Sequence, residues 1–175
     1  MKTTIAALII IMLIFTVTAC GKKDDYVSIV IPELMFEGQT PENVIAGAAQ
    51  RGIAAVHNDD GTYTYKMPKE RHAEMMAMMT EQINAAFNEI INEDVYGGLV
   101  KEILHNNDFT QITLKVDGEA YETSPIASIM VYICGMQGII YNNYNGTSDA
   151  KVYVDVVDAD TGEILDSKIY PDDEL

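Results

Sequence analysis

The first 20 residues constrain the chain most, because they separate an export signal from the part that can fold. Lys2 gives a positive start, and residues 5–17 form an almost unbroken apolar run. This run is shorter than the roughly 20 residues that a transmembrane helix needs. A short apolar run that follows a positive charge and ends in small residues is typical of a secretory signal peptide. We therefore predict that residues 1–19 are a signal-peptide helix outside the folded protein.

The end of this segment, Val17-Thr18-Ala19-Cys20, resembles the lipobox of bacterial lipoproteins. The resemblance implies a lipoprotein signal peptide and a diacylglycerol on the Cys20 thiol. Each buried methylene contributes about 0.8 kcal/mol, so two or more acyl chains hold a protein stably. The expected partner is thus a membrane, bound through lipidated Cys20 on the extracytoplasmic face of a bacterial cell. Residues 20–26 would form the lipidated cysteine and a short tether.

The acidic balance of the chain limits its partners. The sequence has 27 acidic and 11 basic residues, a net charge of −16 at pH 7. Such a surface repels phosphate backbones, so we expect no nucleic-acid binding. The acidity has two open interpretations, namely solubility at a crowded surface or an unknown cationic ligand or extracellular protein.

The remaining chain alternates between strand and helix patterns. Residues 27–171 are predicted to form a single domain, followed by an acidic tail at residues 172–175. Seven strands are expected at residues 27–31, 53–57, 62–66, 100–105, 110–116, 151–157 and 163–169. Tight turns between neighbouring strands require antiparallel pairing. The predicted fold class is α+β, a mostly antiparallel sheet of about six or seven strands with three helices packed on it.

Three helices are indicated by caps and by apolar spacing. Thr40 and Pro41 are typical of a helix start, and Gly52 of its end. The longest helix runs from Pro68 to about Asn92. Its predicted apolar stripe is Met75, Met79, Ile83, Ala86, Phe87, Ile90 and Ile91. The third helix, with Ser124 as cap, is apolar on most faces but short for a membrane span, which favours a place in the core.

A methionine cluster in the longest helix is the first candidate site. His72, Met75, Met76, Met78 and Met79 lie within two helical turns. Thioethers and imidazole suit Cu(I), but methionines on an amphipathic helix also fill core space. We predict core packing and no metal.

Two further candidates are also predicted to be structural. Asp158-x-Asp160-x-Gly162 is similar to a calcium loop, but its glycine is fifth and Ile169 is twelfth, where an EF-hand has a sixth-position glycine and a twelfth-position acid. Flanking strand patterns favour a hairpin turn. Cys134 lies among apolar residues with no cation nearby in sequence, which favours a buried thiol.

The sequence contains no recognisable catalytic motif. His57, His72 and His105 are not spaced as metal ligands, and no nucleophile elbow accompanies the serines. We expect no enzyme, no catalytic residue and no cofactor. The leading hypothesis is a non-enzymatic lipoprotein that binds a partner or interacts with the envelope. The alternatives are a metal-handling protein using His72 and Met75–Met79, and an unrecognised hydrolase using His57 or His72 with an acid.

The chain also resembles a family of uncharacterised bacterial surface lipoproteins, small lipobox-containing proteins of Gram-positive anaerobes. The resembling stretches lie at residues 30–32, 36–38, 60–65, 69–76, 107–109 and 157–162. The resemblance implies lipidation of Cys20 and no known activity.

Overall fold

The computed structural model describes residues 25–92 and 98–173, and within them it has seven strands and four helices. The strands are β1 (Tyr26–Ile31), β2 (Ala54–His57), β3 (Tyr63–Pro68), β4 (Val100–His105), β5 (Gln111–Val116), β6 (Val152–Asp158) and β7 (Ile164–Tyr170). The helices are α1 (Pro41–Gln50), α2 (Lys69–Asn92), α3 (Gly118–Thr123) and α4 (Ala127–Tyr144). A 3₁₀ turn, Glu33–Phe36, follows β1. The predicted signal peptide, Cys20 and most of the tether lie outside the described residues, as do residues 174–175 of the predicted tail.

The strands form two sheets, so the prediction of one sheet is wrong. The first sheet has the order β1-β3-β2 and is antiparallel, and the second has the order β4-β5-β6-β7. The second sheet is mixed because β5 and β6 run parallel. The chain between these two strands contains α3 and α4 rather than a tight turn, and such a crossover returns it in the same direction. The α+β class and the positions of the seven strands are confirmed.

The predicted number of helices is also wrong, because three helices are expected and a fourth, α3, forms at Gly118–Thr123. The Asp117 carboxylate caps α3 by accepting a hydrogen bond from the Ala120 N–H at 3.1 Å. Ser124, predicted to cap the long apolar helix, instead ends α3, and α4 begins at Ala127. Aspartate before glycine fits both a turn and a helix start, and local sequence did not separate the two.

Two hydrophobic clusters form the core, and α4 contacts both sheets. The buried face of the first sheet, formed by β1 and β3, packs against α1. The second sheet packs β5 and β6 with α4 and the end of α2. Among the described residues no helix has both the length and the hydropathy of a membrane span. The core position predicted for the apolar helix is confirmed, since Met130, Val131 and Cys134 are at most 1 % exposed.

Two glycines allow α4 to approach the second sheet closely. A Cβ atom at Gly135 would lie 2.1 Å from the Tyr170 ring of β7. At Gly138 it would lie 2.4 Å from the carbonyl oxygen of Phe109. Since real Cβ contacts are longer than this, any larger residue at either position would push the helix off the sheet.

The β2–β3 and β4–β5 hairpin turns contain the same kind of side-chain hydrogen bond. Between β2 and β3, the Thr62 hydroxyl donates to the Asp60 carboxylate at 2.7 Å. Between β4 and β5, Thr110 donates to Asp108 at the same distance. Such local bonds hold the backbone in the turn, and the predicted hairpins are confirmed.

Candidate functional site

The sequence candidates are mostly structural residues. Cys20 lies outside the described residues. Cys134 is fully buried in α4, and burial raises the pKa of its thiol to about 12. A thiol with so high a pKa is a poor nucleophile at neutral pH, so the prediction of a buried core cysteine is confirmed.

His72 links α2 to the C-terminal end of α4 through a hydrogen bond. Its Nε2 lies 2.8 Å from the carbonyl oxygen of Tyr144, which accepts a hydrogen bond from the ring. The methionines that follow His72 lie in the core or in the wall of a cavity. Met76 is buried, whereas Met75, Met78 and Met79 line a cavity. Met75 is partly buried and packs against the core cluster of the first sheet, so the core place predicted for it is confirmed in part. The core place predicted for Met79 is taken by Met76, which is spaced from Ile83, Phe87 and Ile90 as one helical face.

The other two histidines also make local contacts. The ring of His57 lies 4.7 Å from the ring of Tyr63. His105 stacks on Phe109 at 4.3 Å, and its Nε2 lies 2.8 Å from the side-chain oxygen of Asn84. Within residues 25–92 and 98–173, no group of three or more His, Cys, Asp or Glu is placed to hold a metal ion.

The Asp158 turn uses its own carboxylate. Oδ1 accepts from the Thr161 hydroxyl and N–H at 2.7 Å each and from the Asp160 N–H at 3.1 Å, while Oδ2 accepts from Gly118 at 3.1 Å. Hydrogen bonds from Thr161 lower the pKa of Asp158. The carboxylate is therefore committed to the turn, and the predicted hairpin between β6 and β7 is confirmed.

A site that the sequence did not indicate lies around Arg51, at the end of α1. Two adjoining cavities, of about 250 and about 390 Å³, both have Arg51 and Tyr144 in their walls. The Arg51 Nε donates to the Gly47 carbonyl at 3.0 Å, which orients the guanidinium. Small-molecule sites typically measure about 300–1,000 Å³, so the pair has a suitable size.

The smaller cavity is polar. Gln39, Asn43 and Tyr65 contribute to its wall together with Arg51. Tyr65 is 0 % exposed, and its hydroxyl has no hydrogen-bond partner among the described residues. Burial raises the pKa of this hydroxyl, and the Arg51 guanidinium offsets the rise in part. A buried hydroxyl without a partner costs about 1–3 kcal/mol, and a ligand in this cavity could supply the missing bond.

The larger cavity is mostly apolar. Met75, Met78 and Met79 line it, with Ile53 beside them. Methionine side chains are flexible and adapt to ligands of different shape. Arg71 also lines this cavity, but its guanidinium is paired with Glu74 at 3.1 Å.

Arg51 differs from almost every other cation in the described residues. All of the described lysines and arginines except Arg51 and Lys66 lie within 4.0 Å of a carboxylate. The Lys66 ammonium instead lies 5.2 Å from the centre of the Tyr26 ring. In a chain with 27 acidic residues, a cation without a carboxylate at the mouth of two cavities is a natural anion site.

A third cavity, of about 430 Å³, lies between the 3₁₀ turn and α4. Its wall is mainly apolar, with Leu34, Met136 and Ile139 among its residues, and Asp173 is its charged group. It has neither a cation nor an unpartnered buried polar atom in its wall, so it offers less to a specific ligand than the Arg51 site does.

Comparison of the chain with protein-family models, curated proteins and solved structures gave no match. One sequence signal could have drawn attention to the site. Arg51 and Arg71 are the two arginines of the chain, and the structure brings both to one cavity.

Proposed function

We propose that this chain is a lipid-anchored extracytoplasmic protein that binds a ligand or an envelope component without catalysing a reaction. The observation that carries the proposal is Val17-Thr18-Ala19-Cys20 at the end of a short apolar segment. This pattern suits export, cleavage before Cys20 and acylation of its thiol. The predicted tether of residues 20–26 is then shortened at its end, because Tyr26 already belongs to β1, and the residues before it link the folded part to the outer face of the membrane.

The Arg51 site supports the binding part of the proposal. The walls of cavities large enough for a small ligand contain the Arg51 guanidinium and the buried Tyr65 hydroxyl, and within residues 25–92 and 98–173 the first has no carboxylate within 4.0 Å and the second has no hydrogen-bond partner. His72, on which both alternatives depend, is hydrogen-bonded to a main-chain carbonyl.

The two alternatives remain weaker proposals. A metal-handling protein would use the thioethers of Met75, Met78 and Met79, which line one cavity. Arg51 lines the same cavity, and its positive charge disfavours a bound cation. Added Cu(I) that raises the midpoint of thermal unfolding would favour this alternative. A hydrolase would need His57 or His72 in a cavity, and neither lines the three cavities described above.

Metabolic labelling tests the anchoring. The full chain is expressed in bacteria with a radiolabelled fatty acid, and the membrane fraction is collected. We expect label on the wild-type chain and loss of label with Cys20→Ala, because the acylated thiol is gone. Mass spectrometry of the mature chain should show an acylated cysteine as its first residue.

The second cysteine provides the matched control. Cys134→Ala removes a thiol that is fully buried in α4, so the labelled fraction should equal that of the wild type. An unlabelled precursor that keeps residues 1–19 would contradict the proposal, as would label that persists with Cys20→Ala.

A further inference from the structure

We propose that the two cavities at Arg51 bind a small amphiphilic carboxylate. Its anionic end meets Arg51 in the polar cavity, and its apolar body occupies the methionine-lined cavity. This inference rests on the proposed binding function and gives its ligand class.

The charge of the ligand follows from the cations at the site. Arg51 has no carboxylate partner among the described residues, whereas the guanidinium of Arg71 is already neutralised by Glu74. One free positive charge in a strongly acidic chain favours a ligand with one negative charge, since a second would be repelled. Arginine binds carboxylates well because its planar guanidinium can donate two parallel hydrogen bonds.

The Tyr65 hydroxyl is an independent indication of a polar ligand group. Tyr65 is 0 % exposed and contributes to the wall of the polar cavity, and its hydroxyl meets the distance and angle criteria of a hydrogen bond with no described residue, although the Arg51 side chain is near enough to lower the pKa of that hydroxyl. Because the hydroxyl oxygen has less than 1 Å² of accessible surface, a carboxylate oxygen next to Arg51 would accept its hydrogen bond only after neighbouring side chains move aside. The Asn43 side chain is in the same wall and is a further polar group for the ligand.

The apolar body of the ligand follows from the adjoining cavity. Met75, Met78 and Met79 provide thioether and methylene surface around a volume of about 390 Å³. Tyr144 and Arg51 border both cavities, so one ligand can reach from the polar wall to the methionines. Methionine surfaces accept alkyl and aromatic groups alike.

Calorimetric titration with 3-phenylpropionate tests the proposal. The full chain is reconstituted in discs of neutral lipid, and empty discs supply the blank. We expect saturable binding of the acid and at least roughly tenfold weaker binding of 3-phenylpropan-1-ol, which has the same ring without the charge. Failure of the wild type to bind the acid, or equal binding of acid and alcohol, would overturn the proposal.

Two variants identify the site. Arg51→Gln should weaken binding of the acid by roughly 10- to 100-fold, because a charge-assisted hydrogen bond is lost. Tyr65→Phe should weaken it by roughly 5- to 10-fold without lowering the midpoint of thermal unfolding, since the hydroxyl has no hydrogen-bond partner among the described residues. Unchanged affinity in both variants would refute the assignment of the site.

Lys66→Gln is the control for net charge. Lys66 is exposed on β3 beside Tyr65, and successive strand residues point to opposite faces. Its loss removes the same charge outside the cavities and should change affinity less than threefold; an effect as large as that of Arg51→Gln would count against the site. Acylation of Cys20 is read by mass spectrometry on the same preparation, so a failure of the anchoring proposal is seen separately from a failure to bind the ligand.

Discussion

The β2–β3 and β4–β5 turns have the same polar frame but differ at two residues, Asp59 against Asn107 and Gly61 against Phe109. Asn58 and Asn106 donate to the hydroxyls of Thr62 and Thr110 at 2.8 and 2.9 Å, and each threonine donates to an aspartate. The residue before the threonine has a positive φ in both turns, 87° at Gly61 and 54° at Phe109. A phenylalanine in this conformation costs about 1–2 kcal/mol that a glycine does not.

The surroundings of the two turns explain the difference between Gly61 and Phe109. Phe109 is 0 % exposed, and its ring lies 4.9 Å from that of Tyr141 and 6.3 Å from that of Phe87. Burying such a side chain stabilises the fold by about 1.5–3 kcal/mol, which offsets the backbone strain. Gly61 has only the Glu33 side chain within 4 Å of where a Cβ would stand, so a large residue there would gain little. The polar frame thus holds the backbone in the same conformation in both turns. Whether glycine or phenylalanine stands before the threonine depends on how close that position lies to the core.

Of the changes in these two turns, truncation of Phe109 should lower the free energy of unfolding most. We expect Phe109→Ala to lower the free energy of unfolding by about 3 kcal/mol, measured by urea denaturation. Phe109→Gly should be less destabilising than Phe109→Ala by about 1 kcal/mol, because glycine removes the strain that alanine keeps. A glycine variant less stable than the alanine variant would mean that the positive φ carries no cost.

Gly61→Ala should have the next largest effect. We expect a loss of about 1–2 kcal/mol in the same assay, because alanine is strained at a φ of 87°. The flexible Glu33 side chain can move away from the new methyl group, so the loss should come mainly from the backbone. Gly47→Ala is the matched control. Gly47 lies inside α1 with no positive φ and nothing within 4 Å of its Cβ position, so alanine should stabilise by about 0.5–1 kcal/mol.

Removing either threonine hydroxyl should lower the free energy of unfolding by a smaller amount, and the two losses should be equal. Thr62→Ala and Thr110→Ala each remove a hydroxyl that both accepts from asparagine and donates to aspartate. We expect each to lower the free energy of unfolding by about 1 kcal/mol. Losses that differ by more than about 0.5 kcal/mol, the usual tolerance for independent sites, would show that the frames are not equivalent.

The smallest effect should be a dependence on pH. Hydrogen bonds from the threonine side chains are the main cause that lowers the pKa of Asp60 and of Asp108 below the ordinary 3.8. A carboxylate with a lowered pKa in the folded state stabilises above its unfolded pKa, and this contribution is lost as pH falls through the folded pKa. Below about pH 4, the stability of the wild type should therefore fall more steeply than that of Thr62→Ala or Thr110→Ala. Parallel curves in urea denaturation at several pH values would contradict this.

The sequence predicted most of the strands and helices because their signals are local. Alternation, caps and turn residues located all seven strands and the long helices within a few residues. It did not predict the division into two sheets, nor the parallel pairing of β5 and β6 across the α3–α4 crossover. Strand partners that are far apart in the chain leave no local pattern.

The candidate site could not be predicted for the same reason. Arg51, Tyr65 and Tyr144 lie on α1's end, β3 and α4, and none belongs to a motif with a fixed spacing. The helical spacing of the methionines does not show that Met76 is buried in the core while Met75, Met78 and Met79 line a cavity. That Arg51 has no carboxylate within 4.0 Å in the part of the chain that the structure describes is a property of the folded surface and has no counterpart in composition.

The position of α4 has a consequence for how such a chain can evolve. This one helix covers the second sheet, contacts β1 of the first, and accepts a hydrogen bond from His72 at its last residue. A gene fragment ending at residue 92 would encode the first sheet without the helix that helps to shield it. Recombination that separates the two sheets would therefore leave both halves with uncovered apolar surface, and the chain should be inherited as an indivisible unit.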